Sequence, residues 1–388
     1  MTNHPFDLDT LFQTPAYTQT PEPTERGLEA LLFDGEPLCG RATRVFAWYG
    51  APSIPAAPGP VPGIVLVHGG GGTAFADWVR LWNARGYAAI AMDLDGCLPV
   101  AAGDRWKRLE DGGPDGIVNG AATPFAQIDY PVRDQWTYHA VAAVIRAHSL
   151  LRSRPDVDPA RIGITGISWG GFLTCIVAGL DKRFRFAAPV YGCGFSAQSP
   201  NWQRDFDALG PEKSARWTEL WDPSRYLPEA NLDMLWVNGT NDFAFPLPLH
   251  QRSYRLAPGP RSLCIRVRMP HGHNGPGENP AEIRAFADNL VREAVPLIRV
   301  TVQGEDAGTV WCAFDAGAFP VTSAELTYTC DTATDWVERE WNVAPAAIDA
   351  AGGIASAKLP PEVTAYFVNL FDTRALCVSA ELVIRERD

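Results

Sequence analysis

Residues 161–171 read Arg-Ile-Gly-Ile-Thr-Gly-Ile-Ser-Trp-Gly-Gly. The β-branched residues Ile162, Ile164 and Ile167 favour a short buried strand. After Ser168, apolar residues recur at helical spacing, at Phe172, Leu173, Ile176, Val177 and Leu180. The stretch therefore predicts a strand, a sharp turn that carries Ser168, and a helix that begins directly after it.

Two glycines, Gly166 and Gly170, flank Ser168 in the pattern Gly-Xaa-Ser-Xaa-Gly. A serine on such a tight turn has strained backbone angles, and side chains at the flanking positions would collide with the strand and the helix. The free N–H groups of the helix start would stabilise a developing oxyanion. The pattern alone also fits an ordinary strand-turn-helix with an incidental serine, but its context favours a nucleophile.

The charge and composition of the chain exclude several classes of partner. The formal net charge is -12 and the pI is about 5.1, so nucleic acid and anionic membrane surfaces would repel the protein. No basic segment followed by an apolar run is visible at the N-terminus, and no later stretch is apolar enough to span a bilayer. We therefore expect a cytoplasmic protein that contacts neither nucleic acid nor membrane. Its oligomeric state cannot be read from the sequence.

The eight cysteines are spread singly along the chain, without a Cys-Xaa-Xaa-Cys pair. This spacing predicts neither a zinc site nor a disulfide framework. We accordingly expect no metal.

A second glycine-rich turn follows an earlier strand. The apolar run 63–67 is typical of a strand buried on both faces of a parallel sheet, and it ends in His68-Gly69-Gly70-Gly71-Gly72. Such a loop can approach a ligand closely and offer N–H groups to an oxyanion, whereas a phosphate loop would need a following Lys-Ser/Thr. His68 is interpreted as an anchor of this loop. Strands and helices alternate from here on, which indicates an α/β fold.

An acid and a base are expected after two later strands. Asp242 follows the predicted strand 232–239, and both His271 and His273 follow the predicted strand 263–269. A serine hydroxyl needs an imidazole to accept its proton and a carboxylate to orient that imidazole. The order Ser168, Asp242, histidine meets this requirement. We prefer His273 as the base because a longer loop lets its ring fold back over the serine, with His271 as the alternative.

These motifs resemble the dienelactone hydrolase and acetylxylan esterase branch of the α/β-hydrolases, and prolyl oligopeptidase catalytic domains are similar. The motifs are His-Gly-Gly-Gly-Gly at 68–72, Val-Asp-Pro-Ala-Arg-Ile-Gly at 157–163, Gly-Ile-Ser-Trp-Gly-Gly at 166–171 and Gly-Thr-Asn-Asp at 239–242. The resemblance implies an α/β-hydrolase fold, a mostly parallel sheet flanked by helices, and a Ser-His-Asp mechanism without a cofactor. It also implies an oxyanion hole formed by the N–H of Trp169 and one N–H among Gly70, Gly71 and Gly72. Dienelactone hydrolases themselves use cysteine, so the serine favours ester hydrolysis.

The character of the chain changes after residue 295. Short apolar or alternating runs recur with turn residues between them, which favours an all-β domain, expected to be an immunoglobulin-like sandwich. We thus expect an N-terminal arm at 1–27, a catalytic domain at 28–295 and a β domain at 296–388.

The function expected first is a serine carboxylic ester hydrolase that acts on a short acyl ester of a small molecule, with a carbohydrate acetyl ester as one candidate. A serine peptidase or amidase of the oligopeptidase type would use the same residues. A non-catalytic binding protein on a hydrolase fold is the third hypothesis, but a binding module has no need of nucleophile, acid and base together.

Overall fold

The computed structural model describes residues 4–53, 58–103, 105–116, 124–273 and 275–385. Its strands before residue 270 are β1 (Tyr17–Gln19), β2 (Glu29–Asp34), β3 (Arg44–Gly50), β4 (Val61–Val67), β5 (Ala88–Met92), β6 (Cys97–Ala102), β7 (Arg105–Arg108), β8 (Val157–Ile167), β9 (Phe186–Val190), β10 (Asp233–Gly239) and β11 (Arg261–Arg266). Its α-helices are α1 (Leu8–Leu11), α2 (Ala76–Ala84), α3 (Trp136–Ser153), α4 (Trp169–Leu180), α5 (Gln203–Trp221), α6 (Leu247–Leu256) and α7 (Ala281–Arg292).

A nine-stranded sheet in the order β1-β2-β3-β5-β4-β8-β9-β10-β11 organises these elements. The six strands from β5 to β11 in this order run parallel, and β1, β2 and β3 extend the sheet in antiparallel fashion. Every residue of β4, β5 and β9 is buried, which explains why the sequence there is continuously apolar rather than alternating. Helices α3 and α4 pack against β8, while α2 contacts β5. The predicted α/β fold with a mostly parallel sheet is confirmed.

The strand order places the two glycine-rich turns side by side. β4 lies between β5 and β8, so the chain reverses its winding direction there, and ligands of open α/β sheets bind at such a point. In the pairing of β4 with β8, Val67 lies opposite Gly166. The loop that starts at His68 and the turn at Ser168 therefore leave the same edge of the sheet on neighbouring strands.

The remainder of the described chain is β-rich. Its strands are β12 (Arg299–Asp306), β13 (Thr309–Asp315), β14 (Val321–Thr329), β15 (Asn342–Pro345), β16 (Ala347–Asp349), β17 (Ile354–Lys358), β18 (Ala365–Asp372), β19 (Cys377–Ser379) and β20 (Val383–Ile384). They form two antiparallel sheets, β12-β13-β17-β16 and β15-β14-β18-β19, with β20 beside β18. We call these nine strands the β unit. Its immunoglobulin-like character and the domain boundaries stay predictions.

The β unit covers the open edge of the central sheet at β11. The backbone N–H of Ile265 donates to Ser379 Oγ at 2.8 Å, and the Ile265 carbonyl accepts from Asn369 Nδ2 at 3.1 Å. Ser379 Oγ in turn donates to Asn369 Oδ1 at 2.6 Å. Backbone groups of an edge strand that would otherwise be unpaired are thus satisfied by side chains of the second unit.

Substituting Gly170 with alanine tests the steric argument for the Ser168 turn. A Cβ at this position would lie 2.0 Å from the carbonyl oxygen of Val67 and 2.6 Å from that of His68. We expect Gly170→Ala to lower the free energy of unfolding by about 3 kcal/mol, because backbone must move to relieve the overlap. Gly272→Ala is the matched control, since its Cβ would meet nothing within 4 Å. Urea unfolding curves in which both variants lose equal stability would contradict the argument.

His68, His148 and His250 are almost completely buried in this fold. Burial lowers the pKa of His68 to about 3, that of His148 to about 4 and that of His250 to about 3. His148 is hydrogen-bonded to Asp181 through Nδ1 at 2.8 Å. Neither ring nitrogen of His250 has a hydrogen-bond partner among the described residues. A charged imidazole at any of these positions would be strongly disfavoured.

These pKa shifts predict a loss of stability in acid. In the unfolded chain these histidines bind protons below about pH 6.5. In the folded chain they stay neutral until the pH falls to about 4 for His148 and about 3 for His250. Stability is therefore full above about pH 6.5 and falls as the pH drops through this window. We expect His250→Leu to reduce the slope of unfolding free energy against pH by up to about 1.4 kcal/mol per pH unit. An unchanged slope in denaturation curves from pH 7 to pH 4 would refute this reading.

Candidate active site

Ser168 sits on a strained turn at the end of β8. Its backbone angles, φ 57° and ψ -119°, are ones that non-glycine residues rarely adopt. The turn is held by a hydrogen bond from the Ser168 N–H to the Val190 carbonyl at 2.9 Å and by one from the Phe172 N–H to the Ser168 carbonyl at 2.9 Å. The residue is half-buried, and its hydroxyl makes no hydrogen bond to any part of the chain that the structure describes. The hydroxyl is thus available to a substrate.

His68 anchors the glycine loop, as the sequence analysis expects. Its Nε2 accepts a hydrogen bond from the Leu94 N–H at 3.0 Å, so the proton is on Nδ1, which donates to the Gly69 carbonyl at 2.7 Å. The ring is buried, and its low pKa keeps this neutral tautomer in place. Both nitrogens are occupied by backbone, so His68 is a structural part of the loop.

The glycine loop passes close over the nucleophile. A Cβ on Gly69 would lie 3.1 Å from the Cβ of Ser168. The Gly72 N–H is used within the loop, where it donates to the Gly69 carbonyl at 3.0 Å. Gly70 and Gly71 are exposed, and within the described ranges neither N–H has a hydrogen-bond acceptor. These two N–H groups remain for a ligand.

Asp242 and His271 form a tight pair. His271 Nδ1 lies 2.6 Å from Asp242 Oδ2. The other carboxylate oxygen, Oδ1, accepts from the N–H groups of Ala244 at 3.0 Å and Phe245 at 2.8 Å. Asp242 is only 2% exposed. Because a carboxylate accepts, Nδ1 of His271 carries the proton and Nε2 is left with its lone pair.

Aromatic side chains fix the ring of His271. Tyr191 stacks against it with ring centroids 4.4 Å apart, and Phe243 lies on it at 4.6 Å. The Tyr191 hydroxyl donates to the Pro270 carbonyl at 2.8 Å, which ties the histidine loop to the end of β9. Burial and the charge of Asp242 raise the pKa of Tyr191, so the hydroxyl stays protonated and remains a donor. Tyr191 directly follows Val190, whose carbonyl accepts from the Ser168 N–H, so His271 stacks on the residue next to the one that holds the Ser168 turn.

The preference for His273 as the partner of Asp242 is wrong in this structure. His273 Nδ1 is hydrogen-bonded to Glu278 Oε1 at 3.0 Å, and its Nε2 accepts from the Gly69 N–H at 3.0 Å. The ring packs on Phe75 with centroids 4.4 Å apart. Both of its nitrogens are therefore engaged, one by a second carboxylate and one by the glycine loop.

Several residues of the site were not expected from the sequence. Glu278 has no motif around it, and only its position in space makes it the partner of His273. Tyr191 belongs to none of the motifs quoted from the sequence, and only its stacking on His271 places it in the site. Trp106, in the β6–β7 hairpin, donates from Nε1 to the Gly71 carbonyl at 3.1 Å and so braces the glycine loop.

The chain is similar to known proteins both in sequence and in fold. A family model described as acetyl xylan esterase matches residues 31–197. The acetyl xylan esterase structure from Paenibacillus sp. R4 aligns with a TM-score of 0.56 at 22% identity, covering 73% of this chain and 92% of that one. Acetyl Xylan Esterase 1 from Thermoanaerobacterium sp. JW/SL YS485 aligns with a TM-score of 0.54 at 17% identity, covering 76% and 95%. The chain therefore has the α/β-hydrolase fold, and its residues 31–197 are similar to the acetyl xylan esterase family. The resemblance inferred from the sequence motifs is thereby confirmed.

A curated relative has a different description. The Bacillus subtilis (strain 168) protein named "Uncharacterized peptidase YuxL" is 25% identical over 203 residues. The match covers 48% of this chain and 26% of that protein, so it spans about a quarter of the relative's length. Together these comparisons support a serine hydrolase.

Two further features of the α/β-hydrolase bear on its possible partners. Across the described ranges, no helix is both long and apolar enough to cross a membrane. Within the same residues, no three or more histidine, cysteine, aspartate or glutamate side chains are grouped so as to hold a metal ion.

The Asp242–His271 pair predicts a spectroscopic signature. A proton shared over 2.6 Å between an imidazole and a carboxylate is strongly deshielded, so we expect a proton resonance far downfield of the amide region. It should disappear in His271→Gln and persist in His273→Gln. One-dimensional proton NMR of the two variants checks this. A resonance lost only in His273→Gln would contradict the pairing.

Proposed function

We propose that this α/β-hydrolase is a serine carboxylic ester hydrolase that removes short acyl groups from small-molecule esters through an acyl-enzyme on Ser168. The observation that carries the proposal is the Asp242–His271 pair together with the strained turn that presents a free serine hydroxyl. Tyr191 stacks on His271 and directly follows Val190, whose carbonyl accepts from the Ser168 N–H, and from this we infer that the imidazole and the hydroxyl face the same space. An imidazole with a free Nε2 that can reach such a hydroxyl is the arrangement that activates a serine.

In the proposed first step, Ser168 Oγ attacks the ester carbonyl while His271 Nε2 takes the hydroxyl proton. The Asp242 carboxylate accepts from Nδ1 throughout and stabilises the imidazolium that forms. The imidazolium then gives its proton to the leaving alcohol oxygen as the C–O bond breaks. In the second step His271 takes a proton from water as the water oxygen attacks the acyl carbon. The imidazolium then gives that proton to Ser168 Oγ as the bond between Oγ and the acyl carbon breaks and the carboxylic acid leaves.

The oxyanion of each tetrahedral intermediate needs donors on the other side of the serine. Trp169 is the first residue of α4, so its N–H has no acceptor within the helix. Gly70 and Gly71 supply the second donor, since the Gly72 N–H is already used in the loop. These groups are fixed in place before the substrate binds, which is what makes such donors effective.

His273 has a positioning role in this scheme. Its Nε2 holds the Gly69 N–H, and Glu278 holds its Nδ1. It cannot accept a proton from Ser168 without giving up the bond to Gly69. We therefore assign the base to His271 and the alignment of the glycine loop to His273.

The surroundings of Ser168 favour a short acyl group. Trp169 packs against Trp202 at 5.3 Å and against Phe125 at 5.8 Å, and Trp202 packs on Phe245 at 5.1 Å between ring centroids. These rings are almost entirely buried and fill the space next to the nucleophile. Room for a long acyl chain on this side is thereby reduced. An acetyl ester, as in the acetyl xylan esterases that the chain resembles, is the substrate class proposed here, with a carbohydrate as a candidate alcohol.

A peptidase or amidase is the second candidate because the curated relative is named a peptidase. The same nucleophile, base and oxyanion donors serve amide hydrolysis. The two functions differ in the leaving group rather than in the residues described above.

Turnover of p-nitrophenyl acetate and octanoate and of an aminoacyl p-nitroanilide tests the proposal. We expect acetate to be cleaved with the highest kcat/KM and the anilide not to be cleaved. Ser168→Ala and His271→Gln should each lower kcat by about 10⁴-fold or more. His273→Gln should cost about 10- to 100-fold, which is no more than the loss of one oxyanion donor.

The paired histidine variants control for one another, because both remove an imidazole from the same loop. A larger loss in His273→Gln than in His271→Gln would reverse the assignment of the base. Anilide cleavage without ester cleavage would establish the peptidase, and an inactive protein that no fluorophosphonate labels would refute both hydrolase functions.

A further inference from the structure

The β unit reaches the loop that carries Asp242. The connection between β14 and β15, residues 330–341 (hereafter the β14–β15 loop), lies against residues 240–242. Trp341 at its end packs into a small buried cluster with residues from both units: Leu247, Ile265, Trp341, Ala365, Phe367 and Leu382. Arg339 is 8% exposed, and its guanidinium lies over the ring of Trp336 at 3.9 Å. The loop is therefore packed in place at the junction.

Asn241 makes the polar contact between the β unit and the loop that carries Asp242. Its Nδ2 donates to the carbonyls of Val337 at 2.7 Å and Arg339 at 2.8 Å, and it lies 3.3 Å from that of Trp336. Its Oδ1 accepts from Thr240 Oγ1 at 2.7 Å. The side-chain amide is thus fully used, and it turns away from Asp242 toward the β unit.

The same network extends to the loop that carries His271. Thr240 Oγ1 accepts from the Arg268 N–H at 3.0 Å. The Arg268 guanidinium contacts the Arg339 carbonyl at 3.3 Å. One loop of the β unit therefore touches the segment before Asp242 and the segment before His271.

Displacement of either segment would alter the 2.6 Å contact between Asp242 and His271. Asp242 is bound on its other side to N–H groups of its own turn, so it moves with that turn as one body. A shift of about 1 Å in such a contact is enough to cost on the order of 100-fold in rate.

We propose that the β unit supports catalysis through Asn241. Asn241 is a positioning residue: its hydrogen bonds to the β14–β15 loop hold the Asp242 turn at the distance and orientation at which Asp242 binds His271. The inference rests on the proposed role of Asp242. It gives the second unit a function at the active site in addition to covering the sheet edge.

Asn241→Ala tests the inference. We expect kcat for p-nitrophenyl acetate to fall about 10- to 100-fold with KM changed less than about twofold, because the substrate still binds while the acid–base pair is misaligned. The downfield proton resonance of His271 should broaden or vanish. Asn241→Asp keeps the size and the acceptor for Thr240 but cannot donate to the carbonyls, so it should show the same defects if the alanine variant does not fold.

Gln251→Ala is the matched control. Like Asn241, Gln251 donates a side-chain amide hydrogen to a carbonyl of the β unit, in this case that of Leu382. Gln251 lies on α6 and not on the turn that carries Asp242. It should keep kcat and the resonance. Wild-type kcat and resonance in the Asn241 variants, or equal losses in Gln251→Ala, would overturn the inference. If the wild type cleaves no ester, the proposed function fails, and the resonance alone then decides whether Asn241 positions Asp242.

Discussion

Backbone crowding around the turn at Ser168 is the constraint on which the site depends. A Cβ on Gly166 would lie 2.2 Å from the Gly170 carbonyl oxygen, one on Gly170 2.0 Å from that of Val67, and one on Gly171 2.6 Å from that of Val190. The turn is therefore wedged between its own helix and both neighbouring strands. This close contact holds the strained serine outward, because the backbone has no room to relax into an ordinary conformation. The rest of the site is built around a fixed hydroxyl.

Two histidines of one short loop each pair with a carboxylate and differ in what the second ring nitrogen faces. In His271, Asp242 fixes the proton on Nδ1 and leaves Nε2 free. In His273, Glu278 does the same, but Nε2 is consumed by the Gly69 N–H. Under the proposed assignment, what separates the acid–base role of His271 from the positioning role of His273 is therefore the availability of one lone pair, not the presence of a charged partner.

The buried strands and the turn at Ser168 could be predicted because they depend on local signals. Continuous apolar runs indicate buried parallel strands, and small residues beside Ser168 reflect contacts within a few residues. The choice between His271 and His273 depends on remote contacts. Tyr191 and Glu278 decide it, and neither belongs to a recognisable pattern. The loop bends back onto Gly69, so the more distant histidine reaches the glycine loop and pairs with Glu278 instead of Asp242. The contact of the β unit with Asn241 could not be predicted from the sequence either, because it also joins residues that are far apart in the chain.

The edge of the sheet at β11 bears on both the stability of the fold and the candidate active site. An open edge strand exposes backbone donors and acceptors, and here the second unit satisfies those of Ile265 through Ser379 and Asn369. The loop that carries His271 follows β11 directly, so a surface that covers this edge also lies near the Asp242–His271 pair. Asn241 extends the same junction to the end of the neighbouring strand β10. Under the proposal, the unit that covers the edge also sets the distance between the loops that carry Asp242 and His271, so a change at the junction would affect stability and activity together.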